Sequence, residues 1–289
     1  MPETLANENR TRGGMFFRCH GSKQPKAALV LCHGLASNST RWNELAGQLE
    51  LPPDWCLLCP DLRGHGHSTW RGRLHSGSWM RDLIDMLDQA GLERAVIGGH
   101  CMGANLALRF AHSHPAQCQG LVLIEPMLPQ ARVGKMKLKT LLRWLLPLLI
   151  FFPRLLNSFG IRRYQMPVLD LEKLDQKTRQ AMTEQGDTQA MTQRYAAPWS
   201  DLKYIPVAAY LQSLLETLRR LPPMERVGAP TLAMISSGGM FGDPELTRQA
   251  LARIPDCRIQ ALEARHWIPT EQPDAMRERL SEWLSTRFG

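Results

Sequence analysis

The amino-acid sequence predicts an α/β fold, a mostly parallel sheet with helices on both faces and a helical insertion. Three observations carry this. Short apolar runs alternate with segments of helical spacing between Ala27 and Ile124. Those runs are apolar at consecutive positions, as strands covered on both faces are; a half-solvated strand would alternate. The strand signal then disappears between about Met127 and Val227 and resumes at Pro230. The expected organisation is a core made of 1–126 and 228–289, interrupted by a helical cap or lid at 127–227.

Taken in order, Ala27 to Cys32 (AALVLC) is a compact strand ending in His33-Gly34, and Trp42 to Leu49 has helical spacing. Trp55 to Pro60 is a second strand, followed by a glycine-rich loop. Trp79 to Ala90 places Met80, Leu83, Met86 and Leu87 on one helical face. Ala95 to Ile97 is a strand ended by Gly98-Gly99, Ala104 to Ala111 is helical, and Leu121 to Ile124 is a strand. After the insertion come a strand at Pro230 to Ile235, a helix around Glu245 to Ile254, a strand at Arg258 to Leu262 and a last helix from about Pro273 to Arg287.

A chain of 289 residues, 44% apolar and 21% charged, has an ordinary globular composition. Its seven cysteines are odd in number, and several lie inside apolar runs. Met1 to Gly14 is polar, without an apolar signal-peptide core. Free thiols in a reducing, cytoplasmic setting are expected. Cys56 and Cys59 form a C-x-x-C inside a strand, where residues three apart face opposite sides, so no metal or redox role is read from them. The net charge of +8 is concentrated: Arg132, Lys135, Lys137, Lys139, Arg143, Arg154, Arg162 and Arg163 fall between Pro126 and Leu169 with no acidic residue. Basic residues in one local segment, without an interleaved aromatic groove, argue against a nucleic-acid partner.

The sharpest local signal is Gly99-His100-Cys101-Met102-Gly103, between a strand and a helix. It has the form of the nucleophile elbow G-x-S-x-G, with Cys in place of Ser. Gly99 and Gly103 lack a Cβ, so strand and helix can approach closely. Cys101 then projects at a helix N-terminus, where free N–H groups favour a thiolate and an oxyanion. An isolated match would describe a buried cysteine at a helix start. Three further segments add to it: Leu31-Cys32-His33-Gly34-Leu35-Ala36-Ser37, Asp61-Leu62-Arg63-Gly64-His65-Gly66-His67-Ser68, and Leu262-Glu263-Ala264-Arg265-His266-Trp267-Ile268-Pro269.

In this order the four segments resemble the α/β-hydrolase superfamily, over roughly 14–126 and 228–289, and specifically a cap-containing member with a Cys nucleophile. The resemblance implies Cys101 as nucleophile and His266 as base. It implies the backbone N–H groups of Leu35 and Met102 as oxyanion hole, and structural support from His33, Gly34, Gly99 and Gly103. The D-x-R-G-x-G-x-S loop is structural in the family. The acid stays open between two residues. Counted from Pro230 and back from His266, the family's usual position falls on Gly239, and Asp243 lies four residues late. Haloalkane dehalogenases carry the acid at the end of the strand after the nucleophile helix, where this chain has Glu125. Glu125 is preferred, with Asp243 as the alternative; either would orient His266 and stabilise its imidazolium.

The implied activity is a Cys-dependent hydrolase of carboxylic esters or thioesters, acting through a thioester acyl-enzyme without cofactor or metal. Cys nucleophiles occur in dienelactone hydrolases and in polyhydroxyalkanoate synthases, which transfer acyl chains, so an acyltransferase is the alternative; a non-catalytic binding protein is a third. Lys135 to Leu156 (KMKLKTLLRWLLPLLIFFPRLL) is apolar and basic-flanked. Its uncharged core, Trp144 to Phe152, is shorter than the ~20 residues a bilayer span needs. Either Leu145, Leu148, Leu149, Phe151 and Phe152 pack onto the core and wall the pocket, or residues 135–163 form a lid that meets an anionic lipid surface peripherally. Both readings suit a small-molecule or lipid-like acyl substrate.

Overall fold

The computed structural model describes residues 7–161, 163, 166–185, 194, 195 and 197–289. Arg162 of the basic segment and Met1 to Ala6 of the polar N-terminus lie outside the described residues. Eight strands form one sheet: β1 (Asn7–Arg10), β2 (Phe16–Gly21), β3 (Ala27–Cys32), β4 (Trp55–Pro60), β5 (Ala95–His100), β6 (Cys118–Ile124), β7 (Thr231–Ser236) and β8 (Cys257–Leu262). Their order is β1-β2-β4-β3-β5-β6-β7-β8. The pairs β1–β2 and β2–β4 are antiparallel and the remainder parallel.

The helices are α1 (Asn43–Gln48), α2 (Ser76–Gln89), α3 (Met102–Ser113), α4 (Gly134–Leu141), α5 (Leu146–Ser158), α6 (Leu171–Gln185), α7 (Pro198–Asp201), α8 (Val207–Leu218), α9 (Pro244–Leu251), α10 (Ile268–Glu271) and α11 (Pro273–Phe288). The consecutive apolar residues of the central strands divide by parity, because alternate side chains take opposite faces. Val30, Cys56, Leu58 and Ile97 join one core with Leu83 and Met86 of α2 and Leu106 and Phe110 of α3. Leu29, Leu57, Cys59 and Val96 join the other with Leu45 of α1 and Leu280 and Trp283 of α11. Cys56 and Cys59 thus sit in different cores, as their spacing requires.

The chain leaves β3 toward β4 and returns past it to β5, so the strand order reverses at the β3–β5 pair. At such a switch point the loops leaving the carboxyl ends of the two strands open a crevice. Those loops carry Gly34-Leu35 and Cys101.

Two findings differ from the sequence reading. The antiparallel edge β1–β2 was not expected: Asn-Glu-Asn-Arg in β1 has no apolar residue, and an edge strand held by backbone ladder bonds needs none. The insertion also forms a longer apolar helical stretch than its uncharged core indicated. Helices α4 and α5, joined by a 3-10 turn at Leu142–Leu145, give 25 residues (Gly134–Ser158) long and apolar enough, by length and composition, to cross a membrane. Between Ile124 and Thr231 the described residues form helices and turns but no strand. They are tied to the sheet by the buried Arg41–Asp175 ion pair, by Arg179 on Glu44, and by Asn105, whose Nδ2 donates to the Met127 and Thr217 carbonyls.

Candidate active site

The elbow is built as the glycines require. A Cβ on Gly103 would lie 2.8 Å from the His33 carbonyl oxygen and closer still to that of Cys32. A Cβ on Gly99 would also meet the Cys32 carbonyl, and lie 2.7 Å from Gly103 itself. The end of β3 therefore presses on both glycines, and only hydrogen at those positions lets Cys101 stand over the loop that follows β3. Cys101 adopts φ 53°, ψ −108°, a conformation L-residues avoid. Such backbones cost on the order of 1–3 kcal/mol and persist where the surroundings over-determine them. Here Cys101 N–H donates to Ile124 O at 2.9 Å, and its own carbonyl accepts Asn105 N–H at 3.1 Å. Among the described residues the other non-glycine positive φ values belong to Ala36, which lines the same cavity as Cys101, and to Glu125, whose charge acts on the Cys101 thiol.

Cys101 opens onto a cavity of about 140 Å³, lined also by Leu35, His100, Met136, Phe241 and His266. Burial pushes its thiol up to about 12; the N–H groups of Met102 and Leu35 and the charge of Arg132 pull the other way, and Glu125 adds to the rise. The helix N-terminus was expected to favour a thiolate. Desolvation of a sulfur with 8% exposure outweighs it, so the resting group is a thiol. Burial, with the neighbouring His100, holds His266 well below the usual histidine range, as a neutral imidazole.

His266 packs between His100, with ring centroids 5.0 Å apart, and the edge of Phe241 at 4.8 Å. His100 Nε2 lies 3.0 Å from the His266 carbonyl oxygen. A carbonyl only accepts, so Nε2 carries the proton and Nδ1 is bare. The structure brings Cys101, His266 and Leu35 to one cavity, and the Leu35 and Met102 N–H groups to the Cys101 sulfur. Among the described residues it does not hydrogen-bond the Cys101 sulfur to the His266 ring, nor that ring to either candidate acid. Unliganded sites often hold such contacts open until substrate enters.

Glu125 lies at the end of β6 with φ 50°, and its Oε2 accepts the Ser236 N–H at 2.6 Å. Burial raises its carboxyl to about 7 despite Ser236, whose side chain and N–H both favour the ionised form; Glu271 adds to the rise. Asp243 is the N-cap of α9, its Oδ1 accepting the Leu246 N–H at 2.9 Å. His33 is satisfied on both nitrogens: Nδ1 lies 2.8 Å from Gly34 O and Nε2 accepts the Leu62 N–H at 3.0 Å. Its ring thereby joins the Gly34-Leu35 loop to the Asp61 loop. Burial would raise Asp61, yet His67 and the Ser39 N–H hold it low.

Sequence reasoning missed Glu271. Its carboxylate accepts three consecutive backbone N–H groups, Arg265 at 2.9 Å, His266 at 3.1 Å and Trp267 at 2.8 Å. It fixes the loop that presents His266. The available signal was an acidic side chain five residues beyond the histidine, in His266-Trp267-Ile268-Pro269-Thr270-Glu271. Arg132 was read only as part of the basic segment, but its guanidinium is buried, donating to the carbonyls of Thr217 and Leu218.

In sequence, the chain is 22% identical over 265 residues to the sn-1-specific diacylglycerol lipase ABHD11 of Mus musculus, covering 89% of this chain and 81% of that protein. It is 32% identical over 107 residues to the lipase LipV of Mycobacterium tuberculosis, 37% of this chain and 40% of that one. The chain spans 30% to 40% of the length of the mycobacterial relatives it matches. In structure it is similar to a thermophilic esterase from Thermogutta terrifontis, with a TM-score of 0.69, 18% identity and coverage of 99% and 100% of the two chains; at that identity the likeness is one of fold. Residues 23–273 match the family described as serine aminopeptidase, S33. That match spans most of the chain and joins the strand order and the elbow in one conclusion: the chain belongs to this family of α/β hydrolases.

Proposed function

We propose that the chain is a cysteine-dependent hydrolase of carboxylic esters or thioesters with a hydrophobic acyl group. One observation carries this reading: Cys101 sits on a strained strand-to-helix turn, with the Leu35 and Met102 N–H groups at its sulfur and His266 on the same cavity. Residues 127–227 act as the cap over that cavity. The lipase and esterase names among the relatives are consistent with an ester substrate. The family is described by serine chemistry, whereas this chain carries Cys101 at the elbow, so the covalent intermediate is a thioester.

The neutral pair sets the order of events. Neutral His266 takes the Cys101 proton as the sulfur attacks the acyl carbon, because a free thiolate is disfavoured in the buried site. The C=O π electrons move onto oxygen, which the Leu35 and Met102 N–H groups stabilise. The tetrahedral adduct collapses, the bond to the leaving oxygen or sulfur breaks, and the imidazolium returns its proton to that leaving group. Water, deprotonated by His266, then attacks the thioester, releasing the acid and restoring the thiol. An alcohol or thiol acceptor in place of water gives acyl transfer. Glu125 is the proposed acid, orienting His266 through rearrangement of contacts when substrate fills the cavity, with Asp243 the alternative.

A reducing, cytoplasmic setting suits the free cysteines among the described residues. Peripheral contact of residues 135–163 with a membrane belongs to the same reading. The test is intact-mass spectrometry after exposure to acyl esters and acyl thioesters of graded length. The expected result is a single acyl adduct, absent from Cys101→Ala, whose fold and unfolding midpoint persist. Turnover retained by Cys101→Ala would overturn the mechanism. Partition of the acyl group between water and an added acceptor separates hydrolase from acyltransferase.

A further inference from the structure

Helix α5 lies on the protein with its apolar surface mostly outward. Leu146 and Ile150 are buried, but Leu148, Leu149, Phe151, Phe152 and Leu155 are exposed. Only 11% of the most apolar window of the α4–α5 stretch is buried. This excludes the reading in which Leu148, Leu149, Phe151 and Phe152 pack onto the core. Trp144 and Phe159, which flank the helix, are 70% and 74% exposed, and Trp199 on α7 is 84% exposed. Large contiguous apolar surface of this kind marks an interaction site in a soluble domain.

Charge states what covers it. No acidic residue occurs in 127–169, while Lys135, Lys137, Arg154 and Arg163 are exposed on the same stretch. Beside the helix a second cavity, of about 660 Å³, is lined by Arg71, Arg154 and Arg163 together with Trp70 and Ile161, and by no carboxylate among the described residues. Apolar side chains bordered by unneutralised cations match an interface whose interior is hydrocarbon and whose surface is anionic.

We propose that the α4–α5 face, with Phe159 and Trp199, docks peripherally on a bilayer containing anionic lipid, and that the arginine-lined cavity receives the anionic headgroups. The proposal rests on the hydrolase reading for its purpose. Met136 and Lys139 of α4 and Pro198 of α7 line the Cys101 cavity, so the elements that meet the lipid are those that wall the cavity. An acyl substrate drawn from the bilayer would enter without crossing bulk water. Helix α5 does not span, because Leu146 and Ile150 are buried against the domain and α5 packs on α8.

The test uses the full chain in flotation with vesicles of phosphatidylcholine alone and of phosphatidylcholine mixed with phosphatidylglycerol. Binding is expected to the mixed vesicles only, to weaken with salt, and to be reversed by an alkaline carbonate wash. Lys137→Gln and Arg154→Gln should each weaken it about fivefold, and Trp144→Ser combined with Phe152→Ser should abolish it. All of these variants should keep wild-type turnover of a soluble short-chain ester, which also reports that they fold. Cys101→Ala should lose turnover yet float as wild type does, so docking and catalysis fail separately. Equal affinity for both vesicles, retention after carbonate, or a dimer that the Trp144 and Phe152 changes dissociate while no vesicle binds, would overturn the proposal.

Discussion

Glu125 links stability to the candidate chemistry, and the substitution Glu125→Gln separates the two. The amide keeps the shape of the side chain and an oxygen to accept the Ser236 N–H, now 2.6 Å from the carboxylate. In the folded protein the carboxyl is raised from 4.5 to about 7, first by burial and then by the charge of Glu271. Between those two values the native state binds a proton that the unfolded state has released. Stability from this group is therefore fully present below about pH 4.5 and is lost as pH rises through about 7. At 1.36 kcal/mol per unit, the charged form costs about 3 kcal/mol above pH 7. Glu125→Gln removes that cost, so it should be near neutral at pH 4.5 and more stable than wild type by about 3 kcal/mol at pH 8. For a chain of this length that is about 6 °C in Tm. Urea unfolding followed by tryptophan fluorescence across this pH range measures both curves. Curves that stay parallel from pH 4.5 to pH 8 would refute the reasoning. In the same variant, loss of an acid that orients His266 should lower kcat by about 10²–10⁴. If Asp243→Asn lowers kcat more than Glu125→Gln, the assignment passes to Asp243.

Three further outcomes are expected. Gly103→Ala drives a methyl group into the Cys32 and His33 carbonyls and should destabilise by about 1–3 kcal/mol or more; an unchanged urea midpoint would contradict the close approach. Glu271→Ala strands three N–H groups of the histidine loop; about 2 kcal/mol of stability should be lost, and kcat should fall more than KM rises, whereas a change confined to KM would place the loop's role in binding alone. In the free protein, burial holds the Cys101 thiol up at about 12, so its alkylation by iodoacetamide should rise about tenfold per pH unit across neutral and alkaline pH; a plateau near pH 7 would reveal a preformed thiolate.

The amino-acid sequence by itself determined the central strands and the tight strand-to-helix turn at Cys101. Ala27 to Cys32 and Trp55 to Pro60 were legible to the residue, because a strand covered on both faces must be apolar at every position. Gly99-His100-Cys101-Met102-Gly103 was legible because a tight strand-to-helix crossing tolerates no Cβ at either glycine. The polar edge strand Asn7–Arg10 left no such trace, since backbone ladder bonds and polar side-chain contacts such as Glu8–Arg18 hold it without an apolar residue. Tertiary structure decided what depends on neighbours distant in the chain. Whether Cys101 rests as thiol or thiolate follows from how completely the cavity dehydrates it, against only two N–H groups and a buried Arg132. The raised carboxyl of Glu125 follows from burial and from the charge of Glu271, which together outweigh the N–H of a Ser236 that lies 111 positions away. Periodicity told that α5 is apolar but not which of its sides meets the domain. Packing placed Ile150 inward and left Phe151 and Phe152 facing out, because a helix apolar all round can bury only the face its neighbours reach.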